Sequence, residues 1–194
     1  MPMYNEEETI GSVVTRTLRY VDEVICIDDG SSDSSARIAE ACGATVIRHR
    51  VNRGYGGALK TLFLEATKLD ADALVLLDSD GQHETGDIPK LLKPILDGEA
   101  DFAIGSRFVD GGGGTDMPAY RRLGIKVITA ASNLSSDLGI KDTQSGFRAF
   151  SRTALERLRF DSEGMELSLE MLEDAHEKQL LSLIHISEPT RPYL

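Results

Sequence analysis

The chain has no tryptophan, only two cysteines, six prolines and 6% aromatic residues in 194 positions. Two cysteines cannot build a disulfide framework. Cys26 lies inside an apolar run and reads as a core residue, and Cys42 stands before a glycine at a helix end, a usage that fits a reducing cytoplasm. No apolar run approaches the roughly 18 residues that cross a bilayer. The opening stretch Met1 to Ile10 is acidic and polar, unlike a secretory signal. Positive charge is scarce, with 21 Lys and Arg against 32 Asp and Glu and a formal net charge of -11. Such a chain lacks the basic face that nucleic-acid binding needs, so nucleic acid is excluded as a partner. A hydrophobic fraction of 41% and a charged fraction of 27% are ordinary for a folded globular chain.

What is present is an alternation. Short apolar runs occur at Glu23–Asp28, Thr45–Arg48, Ala73–Leu77 and Phe102–Gly105, and their continuity suits strands buried on both faces. Helical patterns lie between them at Glu7–Val21, Ser34–Cys42, Gly57–Leu69 and Ile88–Leu96. The last has Pro89 in its first turn, where proline is tolerated, and Pro94 inside, where a kink or early stop is expected. Strand and helix in regular succession imply a layered α/β domain. Gly111–Gly114 lies in a stretch without periodicity and reads as a loop beside a site, with a helical pattern resuming from Tyr120 to about Leu138.

Both ends depart from that scheme. The chain opens with Met1-Pro2-Met3-Tyr4-Asn5, which reads as a turn, so the first strand of the sheet is expected to be missing and to leave an open slot. The stretch from Leu181 to Tyr193 resembles the translation of a sequencing adapter. The expectation is one domain over residues 1–180 and a non-native tail over 181–194.

Chemistry concentrates at the strand ends. Asp78-Ser79-Asp80-Gly81-Gln82-His83 follows an apolar strand directly. Side chains two apart in an extended chain point the same way, so Asp78 and Asp80 can converge where open α/β sheets bind ligands. Two converging carboxylates repel unless a cation lies between them, and Mg²⁺ or Mn²⁺ with substrate phosphates suits such a pair. Asp28-Asp29-Gly30-Ser31-Ser32-Asp33 follows a second strand, and helix capping explains its serines but not two aspartates. Asn52-Arg53-Gly54-Tyr55-Gly56-Gly57 is a glycine-rich turn entering a helix, suited to an anion. His49, His176 and His185 lack ligand-like spacing and read as core or surface residues. Phe147 and Phe150 read as core, and Glu163, Glu166, Glu170, Glu173 and Asp174 as a solvated helical face.

Six pieces in register resemble the family 2 glycosyltransferases, in particular the polyprenyl-phosphate or dolichyl-phosphate hexosyltransferase branch. They are Pro2-x-Tyr4-Asn5-Glu6, Asp28 to Asp33, Asn52-Arg53-Gly54, Asp78 to His83, Gly105-Ser106-Arg107 and Asp142-Thr143-Gln144-Ser145-Gly146-Phe147-Arg148. The resemblance implies a GT-A-type three-layer α/β/α sandwich with a mostly parallel sheet. It implies that Pro2, Tyr4, Glu6 and one of Asp28 and Asp29, with Asn52 and Gly54, hold the nucleotide. Asp78 would face the ribose or diphosphate and Asp80 the metal, with Gln82 and His83 under the donor sugar. Arg107, Arg148 and Arg121 or Arg122, with Ser145, would serve phosphates and the acceptor, and the Gly111–Gly114 loop would match the acceptor loop.

The activity so implied moves a hexose from a donor of the UDP-glucose or GDP-mannose type to a polyprenyl phosphate, with inversion, at the cytoplasmic membrane face. A lipid phosphate is already anionic near neutrality and needs cationic guides rather than a strong base. A hydroxyl acceptor, soluble or polysaccharide, would require a carboxylate base, for which Asp142 is the candidate. A non-catalytic nucleotide-sugar-binding fragment is a further alternative. A nucleotidyltransferase is disfavoured, because Pro2 to Glu6 stands where its glycine-rich phosphate loop would be.

Overall fold

A computed structural model of the chain describes residues 1–106, 146–159 and 167–186. In order, the elements are β1 (Pro2–Met3), α1 (Ile10–Thr17), β2 (Ile25–Asp28), α2 (Ser35–Ala41), β3 (Thr45–Arg48), α3 (Gly54–Lys68), β4 (Ala73–Leu76), α4 (Ile88–Leu96), β5 (Phe102–Ser106), β6 (Arg148–Ser151), α5 (Arg152–Arg157), α6 (Leu167–Glu177) and β7 (Ser182–Ile186). A short 3-10 turn, Thr85–Asp87, leads into α4.

The strands form two sheets, ordered β1-β2-β3 and β4-β6-β5-β7. The first is parallel throughout. In the second, β6 runs antiparallel to both neighbours while β5 and β7 are parallel. Alternate strand residues feed opposite faces, as the pleat requires. Ile27, Leu76, Phe102 and Phe150 join the core under α3, α5 and α6. Cys26, Leu77, Ala103 and Ala149 join the core under α1, α2 and α4. The result is the expected three-layer sandwich.

The helices follow from burial of one stripe. Ile10, Val13, Val14 and Thr17 are the buried face of α1, and Ala58, Leu59, Leu62, Phe63 and Ala66 that of α3. Phe102 stacks on Phe150 at 4.8 Å, and Phe63 meets Phe150 edge-on at 5.0 Å.

Several expectations are corrected. Pro2–Met3, read as part of a turn, is a strand that pairs with β2, with Ile27 N–H donating to the Met1 carbonyl and Asp29 N–H to that of Met3. Pro2 suits this place because a residue whose N–H faces away from the ladder loses nothing by lacking one. α4 runs through Pro94 to Leu96 instead of stopping early. α1 is shorter than its apolar pattern, because Glu6 to Thr9 form a turn on which Thr9 and Ile10 N–H converge at the Glu6 carbonyl. The backbone of 182–186 pairs in parallel with β5.

Candidate active site

The C-terminal ends of β1, β2 and β4 converge on an open hollow of about 330 Å³. Tyr4 and Glu6 enter it after β1, Asp29 after β2, Gly54 and Tyr55 from the start of α3, and Asp78 and Asp80 after β4. Pro2, Met3, Asn52, Ala58 and Ser79 complete its lining. This is the crevice beyond the strands' carboxyl ends where open α/β sheets take ligands.

The loops that carry these residues are splinted by their own polar side chains. Asn5, at a positive φ of 56°, receives Ser32 N–H on its side-chain oxygen and donates its own N–H to Ser31 Oγ. Glu6 N–H donates to Ser35 Oγ, and Ser35 in turn donates to Asp33. Asp28 belongs to this framework and not to the hollow's lining: it is buried, accepts from Ser31 N–H and pairs with Arg48 at 3.0 Å. Gly30, with φ near +81°, packs against the backbone of Asn52, where a side chain would meet Asn52 N at 3.1 Å. Across the sheet, Ser79 Oγ donates to the Pro2 carbonyl at 2.9 Å and Thr9 Oγ1 to the Ser79 carbonyl at 2.8 Å, which ties the end of β4 to the first loop.

Asp29 is the most deeply buried carboxylate of the lining. Its Oδ1 accepts from Arg53 N–H at 2.9 Å and lies 2.7 Å from His49 Nδ1. The other ring nitrogen of His49 lies 2.9 Å from Thr61 Oγ1, itself 3.1 Å from the Gly57 carbonyl. His49 therefore fixes Asp29 from behind, a role that carries no spacing signal in the sequence.

Asp78 is half-buried and braced by protein on the side away from the hollow. His83 Nε2 lies 3.3 Å from its Oδ2, and the His83 ring stacks on Phe147 at 5.4 Å. Burial and the Asp78 carboxylate, which accepts its hydrogen bond, push the Tyr55 phenol well above its usual range. Arg148 is only 2% exposed. Burial lowers its guanidinium below the ordinary value, and the charges of Tyr55 and Asp78 oppose that shift. It also reaches the Met171 sulfur at 3.4 Å. Arg148 thus stands behind Asp78 rather than in the hollow, because β6 inserts it between β4 and β5. Gly146 presses on the Asp78 carboxylate so closely that a Cβ there would overlap all three of its outer atoms.

Asp80 differs. Its Oδ1 accepts from Gln82 N–H at 2.9 Å, which leaves its second oxygen for another ligand. Gln82 itself is exposed and does not line the hollow. Glu6, Asp29, Asp78 and Asp80 make the lining strongly acidic. A diphosphate meets that lining favourably only with a cation between, and the all-oxygen set fits a hard divalent ion. Among the described residues no three His, Cys, Asp or Glu side chains form a self-sufficient ion cage. Substrate oxygens and water would have to complete the shell.

Arg107, Arg121, Arg122, Asp142, Ser145 and the Gly111–Gly114 loop lie outside the described residues.

The family model described as glycosyl transferase family 2 matches residues 1–159. The chain is 32% identical over 176 residues to the UDP-N-acetylglucosamine–dolichyl-phosphate N-acetylglucosaminyltransferase of Methanococcus voltae, which covers 81% of this chain and 70% of the relative. It is 34% identical to a dolichyl-phosphate hexose transferase of Haloferax volcanii, with 89% and 73% covered. For the dolichol-phosphate mannosyltransferase of Pyrococcus furiosus the identity is 33%, with 89% of this chain but 51% of the relative covered, so the chain spans about half of that protein. Among solved structures, glucosyl-3-phosphoglycerate synthase of Mycobacterium tuberculosis with Mn²⁺, UDP-glucose and phosphoglyceric acid superposes with a TM-score of 0.69 at 27% identity, covering 100% of this chain and 70% of that one. By sequence and by its GT-A-type fold, the chain belongs to glycosyl transferase family 2 and is a glycosyltransferase.

Proposed function

We propose that the protein transfers a hexose from a nucleoside-diphosphate sugar, of the UDP-glucose or GDP-mannose type, to a polyprenyl or dolichyl phosphate, with inversion, at the cytoplasmic face of a membrane. The observation that carries this reading is the shared hollow: Tyr4, Glu6, Asp29, Asn52, Asp78 and Asp80 arrive there from three strand ends and one helix start. The lipid-phosphate acceptor is supported by the relatives, several of which bear dolichyl- or polyprenyl-phosphate transferase names.

In this reading Pro2, Tyr4 and Glu6 hold the base and ribose with Asp29, which His49 keeps fixed. Asn52 and Gly54 shape the turn that accepts the nucleotide. Asp80, with Asp78 beside it, would hold Mg²⁺ or Mn²⁺, which when bound supplies the positive charge that stabilises the leaving diphosphate. His83, in contact with Asp78, would set that carboxylate's position under the donor sugar, with Gln82 nearby in the same turn. Arg148 holds Asp78 in place from behind. Arg107, Arg121, Arg122 and Ser145 are proposed for the acceptor phosphate, whose oxygen attacks the anomeric carbon without needing a base. No helix among the described residues is long and apolar enough to cross a membrane, and the protein would meet its lipid acceptor at the membrane surface.

The test is transfer of radiolabelled sugar from UDP- and GDP-donors, followed by extraction into organic solvent. Label in the organic phase is expected, and Asp80→Ala should lower the rate by roughly 10²–10³-fold. Unchanged turnover in that variant would reject Asp80's role. A second reading, a soluble phosphorylated acceptor, is favoured by the likeness to a synthase solved with phosphoglyceric acid. Label that stays in water and depends on such an acceptor would select it. Asp142 would then be the candidate base.

A further inference from the structure

The helix α3 opens with Gly54-Tyr55-Gly56-Gly57, so Tyr55 supplies the side chain of its first turn. Its placement follows from the backbone. Gly54 takes a φ of 76°, a conformation that residues with a Cβ rarely adopt, and this bends the loop into the helix. Asn52 fixes the bend by accepting from Gly54 N–H at 3.0 Å. Residues three apart share a helix face, and Tyr55 and Ala58 both line the hollow. The ring is thereby carried to the side of the hollow where Asp78 stands.

Asp78 has neighbours of two kinds. His83 and Arg148 are 8% and 2% exposed, and neither belongs to the lining of the hollow. They act on the carboxylate from within the protein, His83 by its contact at 3.3 Å and Arg148 by its charge. Tyr55 is different. It is 39% exposed and belongs to the lining, while its hydroxyl is shielded from water and donates to Asp78.

The two kinds of neighbour have opposite consequences for a carboxylate that must meet a cation. Arg148 carries a full positive charge and draws Asp78 inward. Repulsion from Glu6, Asp29 and Asp80, the other acids of the lining, works against a fixed orientation toward the hollow. A phenol is a neutral donor. It fixes the direction of the carboxylate without cancelling the negative charge that an incoming metal ion needs. A Lys or Arg in its place would compete with that ion.

We propose that Tyr55 is a positioning residue of the transfer site: from the hollow's own wall its hydroxyl holds Asp78 turned toward the divalent ion and the donor diphosphate, against the pull of Arg148 behind. This rests on the reading of the hollow as the donor site. Tyr55 acts through Asp78, and the ligand need not touch it.

The test is calorimetry on the full 194-residue chain and its Tyr55→Phe variant, with UDP and with GDP, each in the presence and absence of Mn²⁺. Phenylalanine keeps the ring and removes the hydroxyl, and circular dichroism and Tm check that the fold is kept. In the wild type, Mn²⁺ is expected to tighten the binding of at least one nucleotide. In Tyr55→Phe that gain is expected to shrink about tenfold, as for the loss of one hydrogen bond to a charged acceptor, while the metal-free affinity stays unchanged. A purely structural role would lower Tm and leave the gain from Mn²⁺ as it was. In an Asp78→Ala background, Tyr55→Phe is expected to change neither affinity. A further loss there would mean that Tyr55 contacts the ligand itself and would overturn the proposal. So would an undiminished Mn²⁺ gain in Tyr55→Phe, or an equal loss with and without the metal, and in these cases the donor-site reading stands. A wild type that binds neither nucleotide, with or without Mn²⁺, would overturn both.

Discussion

The pairing of His49 with Asp29 gives a quantitative test of how the Asp29 side of the hollow is built. Both residues are buried, and the ring makes one contact to a carboxylate at 2.7 Å and one to a hydroxyl at 2.9 Å. A bond to a charged group contributes about 1.5–3 kcal/mol and a neutral one about 0.5–1.5 kcal/mol. His49→Ala should therefore destabilise the fold by about 2–4.5 kcal/mol, or lower Tm by about 4–18 °C for a domain of this size. Asp29→Asn keeps the shape and weakens the same bond. In a double-mutant cycle read by urea unfolding, the two changes should couple by about 1–1.5 kcal/mol, the difference between a charged and a neutral bond. His49→Ala should also raise KM for the donor more than it lowers kcat, because Asp29 lines the hollow but is not at the reacting bond. Additivity within about 0.5 kcal/mol, with an unchanged KM, would refute the claim that His49 positions Asp29.

Gly146→Ala forces a methyl into the Asp78 carboxylate and should lower transfer by about 10²-fold, measured by product formation alongside circular dichroism to confirm the fold. Phe102→Ala removes a fully buried ring stacked on Phe150 and should cost about 3–5 kcal/mol in chemical unfolding. The buried Met1 amine has its pKa lowered below 8.0, so the unfolded chain binds the extra proton in the window between that lowered value and 8.0. Stability should accordingly rise with pH across that window and level off above 8.0, and an N-acetylated chain should lack the rise.

The first half of the fold is legible because its strands are unbroken apolar runs and its helices carry one apolar stripe. Thr45–Arg48 is read to the residue, and Ala73–Leu76 to within one. Arg148–Ser151 is invisible to that logic: its four residues are Arg, Ala, Phe and Ser, and nothing local says that they enter a sheet between β4 and β5. For the same reason the burial of Arg148 was not legible, although its motif was. Asp28 and Asp29 are indistinguishable as neighbours in a sequence. Their separation comes from strand alternation and from Arg48, three strand positions after Thr45, which claims the first of them. His49 announces itself only through its partner across the sheet.

The lips of the hollow come from residues 2 to 80, whereas the support behind Asp78 comes from Gly146, Phe147 and Arg148. A nascent chain emerging from the ribosome would display the groups that line the hollow well before the segment that braces the carboxylate exists. Some seventy residues must be threaded through before that brace can dock between its neighbours, a slow, non-local closure. The brace behind Asp78 is thus a late arrival, set at the step that joins β4 to β5 through β6.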